Sequence, residues 1–144
     1  MNHRLQTGLL LLMVALSAAA GNEIKLRVTV EGLVPHEGQA IVSLFNEEDQ
    51  FLGTPMKMIR EPVADSDRLS VEFEGLRAGV YAVSVIYDVD GDGELDTGMF
   101  RIPKEPIGVS NNVRSKFGPP KWKKANFDLE DDMHLTIQVL DAIN

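Results

Sequence analysis

Five carboxylates and two glycines fall within nine residues, Asp88-Val89-Asp90-Gly91-Asp92-Gly93-Glu94-Leu95-Asp96. Closely spaced acids separated by glycine offer oxygen donors on a backbone that can turn sharply, which is the chemistry of a calcium-binding loop. Two carboxylates about 4 Å apart repel by roughly 1 kcal/mol even in water, and this segment holds several such pairs. A divalent cation would relieve that repulsion. Set against the helix-flanked calcium loop, Asp88, Asp90 and Asp92 take the first three side-chain positions, and Gly93 takes the sharp turn. Glu94 would offer its backbone carbonyl, and Asp96 takes the ninth position. The place of the bidentate Glu is held by Met99, and the segment leaves a strand rather than a helix. The pattern is thus an aspartate-rich loop of the kind found in secreted β-proteins, with Ca2+ as the expected ion. The missing ligand predicts a dissociation constant on the order of 10⁻⁴ to 10⁻³ M. The competing reading is a hairpin loop whose aspartates cap their own backbone amides and stay solvated.

A second group of residues suited to binding lies in the segment 97–124, which holds four prolines, several glycines and almost no periodicity. Ser110, Asn111 and Asn112 are short polar side chains that cap backbone groups and tolerate left-handed conformations, and Pro119 and Pro120 stiffen the return. One reading makes this a loop that staples itself across the fold. The other makes it a binding surface, with Phe117 and Trp122 offering apolar faces and Arg114, Lys116, Lys121, Lys123 and Lys124 supplying charge without an acid among them. Those bases either meet an anionic partner or pair with Asp128, Glu130, Asp131 and Asp132, where exposed ion pairs contribute only about 0–1 kcal/mol each.

Nothing in the chain sets up a catalytic group. His36 falls in a turn and His134 at a strand edge, and neither sits in a hydrolase or metalloprotease motif. Two carboxylates can perform glycosidase chemistry, but the clustered ones share a loop suited to a cation. The expectation is therefore a non-catalytic module. The alternative is a hydrolase with its site between the acidic loop and the segment 110–122.

The elements that must position these residues read as strands. Ile24, Leu26, Val28 and Val30 alternate with Lys25, Arg27 and Thr29, the period of a strand with one buried and one wet face. An apolar run follows over 40–45, then a short edge strand between the prolines at 55 and 62, then alternation at Leu69, Val71 and Phe73. A compact turn over 75–79 leads into 80–87, the strongest β-segment, which runs directly into the acidic loop. Tyr81 is placed to form a tyrosine corner across that turn. Ala125, Phe127 and Leu129 predict a short strand, and Leu135, Ile137 and Val139 the last one. No segment after residue 20 shows helical periodicity over three turns. The predicted fold is all-β, a single antiparallel sandwich of about seven strands, immunoglobulin- or transthyretin-like. A membrane barrel would need strands of about 9–11 residues and aromatic girdles, and aromatics make up only 6% of this chain.

Residues 1–20 read as a signal peptide: Arg4 near the start, an apolar run over 9–16, and small residues at Ser17-Ala18-Ala19-Ala20 for cleavage near Ala20. The apolar stretch is shorter than the roughly 20 residues of a spanning helix, so no transmembrane segment is expected in the mature chain. Residues 21–144 then form one domain. The absence of cysteine excludes disulfides and thiolate metal sites. Removing residues 1–20 takes away one base and no acid, which shifts the net charge from −8 to −9. That balance argues against nucleic acid. The expected location is the periplasm or the exterior, with an envelope or extracellular protein or glycan as partner.

The ordered set Gly75-Leu76-Arg77-Ala78-Gly79-Val80-Tyr81, the Asp-Gly loop, Ser110-Asn111-Asn112, Phe117-Gly118-Pro119-Pro120 and Ala125-Asn126-Phe127 resembles a bacterial family of small exported proteins, domain of unknown function 2141. The resemblance runs over about 24–140. It implies an exported β-sandwich similar in outline to transthyretin-like modules, with no established activity. In that family the acidic loop often carries asparagine in place of some aspartates, so this chain is rich in carboxylates.

Overall fold

The computed structural model describes residues 21–97, 103–115 and 117–141. The leader expected over 1–20, Met99 and Lys116 lie outside the described residues. Eight strands follow in order: β1 Ile24–Glu31, β2 Gln39–Phe45, β3 Lys57–Pro62, β4 Arg68–Leu76, β5 Gly79–Asp88, β6 Ile107–Val109, β7 Phe127–Leu129 and β8 Met133–Gln138. Among these residues a single turn of α-helix, α1, spans Trp122–Ala125, and 3-10 turns span Glu48–Gln50 and Ser110–Asn112.

The strands form two sheets, one ordered β4-β1-β8 and the other β3-β2-β5-β6, with β7 also paired to β5. Alternation in the sequence becomes alternation in space: Leu26, Val28 and Val30 are fully buried, and Arg27 between them is exposed. The facing sheet supplies Val42, Leu44, Val83 and Val85 to the same core, with Phe73, Leu76, Leu129 and Ile137 closing it. Every buried apolar side chain among the described residues lies within 24–139.

Three features depart from the sequence expectation. β1 and β8 run parallel, pairing Leu26 with Met133 through Glu31 with Gln138, so the sandwich is not wholly antiparallel. Alternation tells which face of a strand is buried and says nothing about the direction of its neighbour. The eighth strand, β6, arises inside the segment read as irregular, because three residues carry no period of their own and are ordered by Ser84, Val85 and Ile86 of β5. Ala125 ends α1 rather than opening β7, its N–H bonded to the Lys121 carbonyl at 3.2 Å.

β5 is the organising strand. One edge pairs with β2 over its length, and the other is shared by β7 at Gly79–Tyr81 and β6 at Ser84–Ile86. Its entry is set by the corner read from the sequence: the Tyr81 hydroxyl donates to the Arg77 carbonyl at 2.9 Å across the turn. Tyr81→Phe keeps the ring in the core and removes that bond, so we expect a loss of about 1 kcal/mol in urea denaturation, with little change in the slope of the transition.

Candidate functional site

The acidic loop begins where β5 ends. Asp88 still pairs in register with Gln39 of β2, and it is completely buried. A buried carboxylate must find donors or give up its charge. Here Oδ1 accepts from the Gly91 N–H at 2.8 Å, while Oδ2 accepts from the Gly93 N–H at 2.9 Å and the Gln39 amide at 2.6 Å. Burial pushes the Asp88 carboxyl up, but the hydrogen bonds from Gln39, Gly93 and Gly91 outweigh it and hold the group below the usual aspartate value. To bring both N–H groups onto one carboxylate the chain turns through left-handed conformations at Gly91 and Gly93, with φ of 74° and 83°. A β-carbon is disfavoured there.

Two further aspartates continue the curl. Asp90 Oδ1 accepts from the Asp92 N–H at 3.2 Å, and Asp92 Oδ1 from the Glu94 N–H at 2.8 Å. Those are the backbone caps of the competing reading, and they leave the remaining carboxylate oxygens open. The far limb of the loop is held by Glu105, only 6% exposed. Its two oxygens accept from the Val89 N–H at 3.1 Å and the Asp96 N–H at 3.3 Å, tying the entry of the loop to its exit.

The acids gather as two triplets that share Asp90. One carboxylate oxygen from each of Asp88, Asp90 and Glu105 lies within 4.8 Å of the others, and the same holds for Asp90, Asp92 and Asp96. The Glu94 side chain joins neither triplet. Among the described residues none of these carboxylates forms an ion pair. A guanidinium lies beside the turn rather than on a carboxylate: a β-carbon at Gly93 would stand 3.8 Å from Arg60 Nη2. Burial, helped by the negative charges of Asp88 and Asp90, pushes the Glu105 carboxyl above its usual value against the N–H groups of Asp96 and Val89. The Asp92 N–H lowers Asp90, but desolvation and the neighbouring carboxylates prevail and raise it.

Glu105 and Gln39 were not singled out by the sequence reading. The only sequence signal for Glu105 is an isolated acid between Pro103 and Pro106 in a segment otherwise without acids from 97 to 124. Gln39 carries none.

The second candidate region divides in two. Ser110 is fully buried and sits on the edge of β5 between β6 and β7. Its hydroxyl accepts from the Val83 N–H at 3.0 Å and donates to the Ala125 carbonyl, standing in for the missing ladder partner. Asn111 donates to the carbonyls of Lys124 and Asn126, both at 2.9 Å. Asn112 behaves as a peptide group: its amide donates to the Thr136 carbonyl at 3.1 Å and its oxygen accepts from the Gln138 N–H at 2.9 Å. These three side chains are engaged in holding the fold. Trp122 is half-buried, edge-on to Phe51 with ring centroids 5.7 Å apart, whereas Arg114 and Phe117 face solvent.

The two histidines occupy unrelated places. His36 lies in the turn before β2 with φ of 64°. His134 Nε2 meets the Thr29 hydroxyl at 2.8 Å, and Thr29 meets the Ser70 hydroxyl at 2.7 Å, a polar row across the outer face of the three-stranded sheet. Beside it Lys25 and Arg27 pair with Glu72.

Fold and loop together define a two-sheet β-sandwich with a carboxylate-rich connection leaving its central strand. The chain belongs to the family described as "Uncharacterized protein conserved in bacteria (DUF2141)", which it matches over residues 28–138. That span runs from β1 to the end of β8 and includes both the acidic loop and the Ser110–Asn112 staple. No curated protein and no solved structure matches the chain.

Ser110→Ala leaves the buried Val83 N–H and Ala125 carbonyl without their partner, so it should cost about 1–3 kcal/mol in urea unfolding. In chelator, Asp88 and Glu105 should act with opposite sign. The lowered Asp88 contributes stability that is present above its unfolded pKa, about 3.9, and lost as pH falls through the folded value; Asp88→Ala should remove it along with about 2–3 kcal/mol. The raised Glu105 contributes stability that is full below its unfolded pKa, about 4.3, and lost as pH rises through the folded value. Unfolding curves of Glu105→Gln should accordingly decline less than wild type on the alkaline side of that range.

Proposed function

We propose that the protein is an exported, non-catalytic β-sandwich module whose acidic loop binds a divalent cation, with Ca2+ the preferred ion. The observation that carries this reading is the meeting of two carboxylates at least nine-tenths buried, Asp88 and Glu105, with Asp90 at a common centre. Burying like charges side by side is costly unless a cation compensates them. The donors are all oxygen, with neither His nor Cys in the triplets, which selects hard cations. Calcium tolerates the irregular arrangement of a loop, whereas magnesium demands near-ideal octahedral geometry. Glu105, arriving from a separate segment, can supply the carboxylate that Met99 fails to provide. The leader-like residues 1–20 support export. For the non-catalytic assignment, the support is that Ser110, the one serine between the acidic loop and Asn111, has its hydroxyl buried and engaged.

At calcium ten times above its dissociation constant, linkage adds about 1.4 kcal/mol to stability. For a domain of this size that should raise Tm by about 5 °C. Calorimetry of residues 21–144 in millimolar CaCl2 and in EGTA checks it. Asp90→Asn, at an exposed position, should fold normally and lose most of the calcium-dependent increment. Equal midpoints for the wild-type protein in the two buffers would remove cation binding from the proposal.

A further inference from the structure

The segment between Asn111 and Asn126 is a compact loop with its ends pinned together. Asn111 bridges the carbonyls of Lys124 and Asn126, and the Ser110 hydroxyl holds Ala125. Its base rests on a small second core in which Ala82, Val109 and Ala125 pack with Phe51, Val113 and Trp122. Loops of this kind are frequently functional. At its tip the Ser115 hydroxyl donates to the Phe117 carbonyl at 3.2 Å, and Gly118 turns the chain with φ of 75° before two prolines. One ring stands out: Phe117 is 93% exposed, while no other exposed large apolar side chain among the described residues exceeds 46%.

The same loop carries Arg114, Lys121, Lys123 and Lys124, all exposed, and none forms an ion pair among the described residues. No acid occurs between positions 114 and 124, in a chain of net charge −8. The acidic loop leaves the opposite end of β5 from the end at which β7 pairs. A protein partner would call for a broad contiguous patch with a buried centre. A solvent-facing ring on a loop that also carries four cations unpaired among the described residues instead matches the interface of a bilayer, where an aromatic side chain enters the headgroup boundary and Lys and Arg meet lipid phosphates.

We propose that this loop is a docking tip for an anionic lipid surface, with Phe117 inserting and Arg114, Lys121, Lys123 and Lys124 contacting the headgroups. The proposal does not depend on cation binding, and its test is made in EGTA to keep the two apart. Residues 21–144 are sedimented with vesicles of equal parts phosphatidylcholine and phosphatidylglycerol, and with phosphatidylcholine alone. Binding is expected on the anionic vesicles only, weakening as salt is raised. Phe117→Ser should reduce it about tenfold, and Lys121→Glu with Lys123→Glu by about as much, both with unchanged melting temperature. Three results would overturn it: no binding to anionic vesicles at low salt, binding indifferent to Phe117→Ser, or equal binding to soluble dextran sulfate, which would point to an acidic macromolecule instead.

Discussion

Asp88 is a charge kept inside the protein. Its position at the end of the central strand would suit an apolar residue, and the cost of removing a carboxylate from water is met only because three N–H donors converge on it. Two of those donors belong to the loop itself, so the loop cannot unwind without stranding the charge. The third comes from Gln39, which locks the start of β2 to the same group. The left-handed turns at Gly91 and Gly93 follow from satisfying that buried anion, while Asp90 and Asp92 cap the next N–H groups of the loop and Glu105 ties Val89 to Asp96. What the arrangement leaves unsatisfied is net charge. Hydrogen bonds satisfy the lone pairs of Asp88, yet the carboxylates of Asp88, Asp90 and Glu105 still meet within 4.8 Å of one another.

The same economy of polar groups operates at the other end of the sheet. Ser110 and Asn112 use side chains where a regular strand would use its backbone. Ser110 occupies the gap between β6 and β7 on the edge of β5, and Asn112 completes a pairing with β8 in the facing sheet. Between them they let an irregular segment cross from one sheet to the other without orphaning buried N–H or carbonyl groups. Gly108 makes the crossing close: a β-carbon there would stand 2.7 Å from Ile137 Cγ2 and 2.8 Å from the Gln138 carbonyl.

The parts legible from the sequence were those governed by local rules. Period-two alternation exposed β1, β4 and β8, the apolar runs exposed β2 and β5, and the prolines at 55 and 62 marked β3 as an edge. The Tyr81 corner could be read because its partner lies only four residues away. The aspartate spacing located the loop, and the short polar run 110–112 was recognised as a staple that competed with a binding surface. What escaped depended on contacts distant in sequence. The parallel pairing of β8 with β1 joins the two ends of the domain, β6 is a strand only by virtue of β5, and Glu105 enters the acidic cluster from beyond the loop. The burial of Asp88 was equally hidden, since an aspartate in an Asp-Gly segment reads as solvent-facing.

The Asn112 side chain has a consequence for how the protein behaves in company. A parallel strand at the margin of a three-stranded sheet presents unpaired backbone groups that a second polypeptide can extend. By occupying the Thr136 carbonyl and the Gln138 N–H, one amide interrupts that row at the point where another chain would need continuity. The β8 edge thereby carries its own stop against edge-to-edge growth.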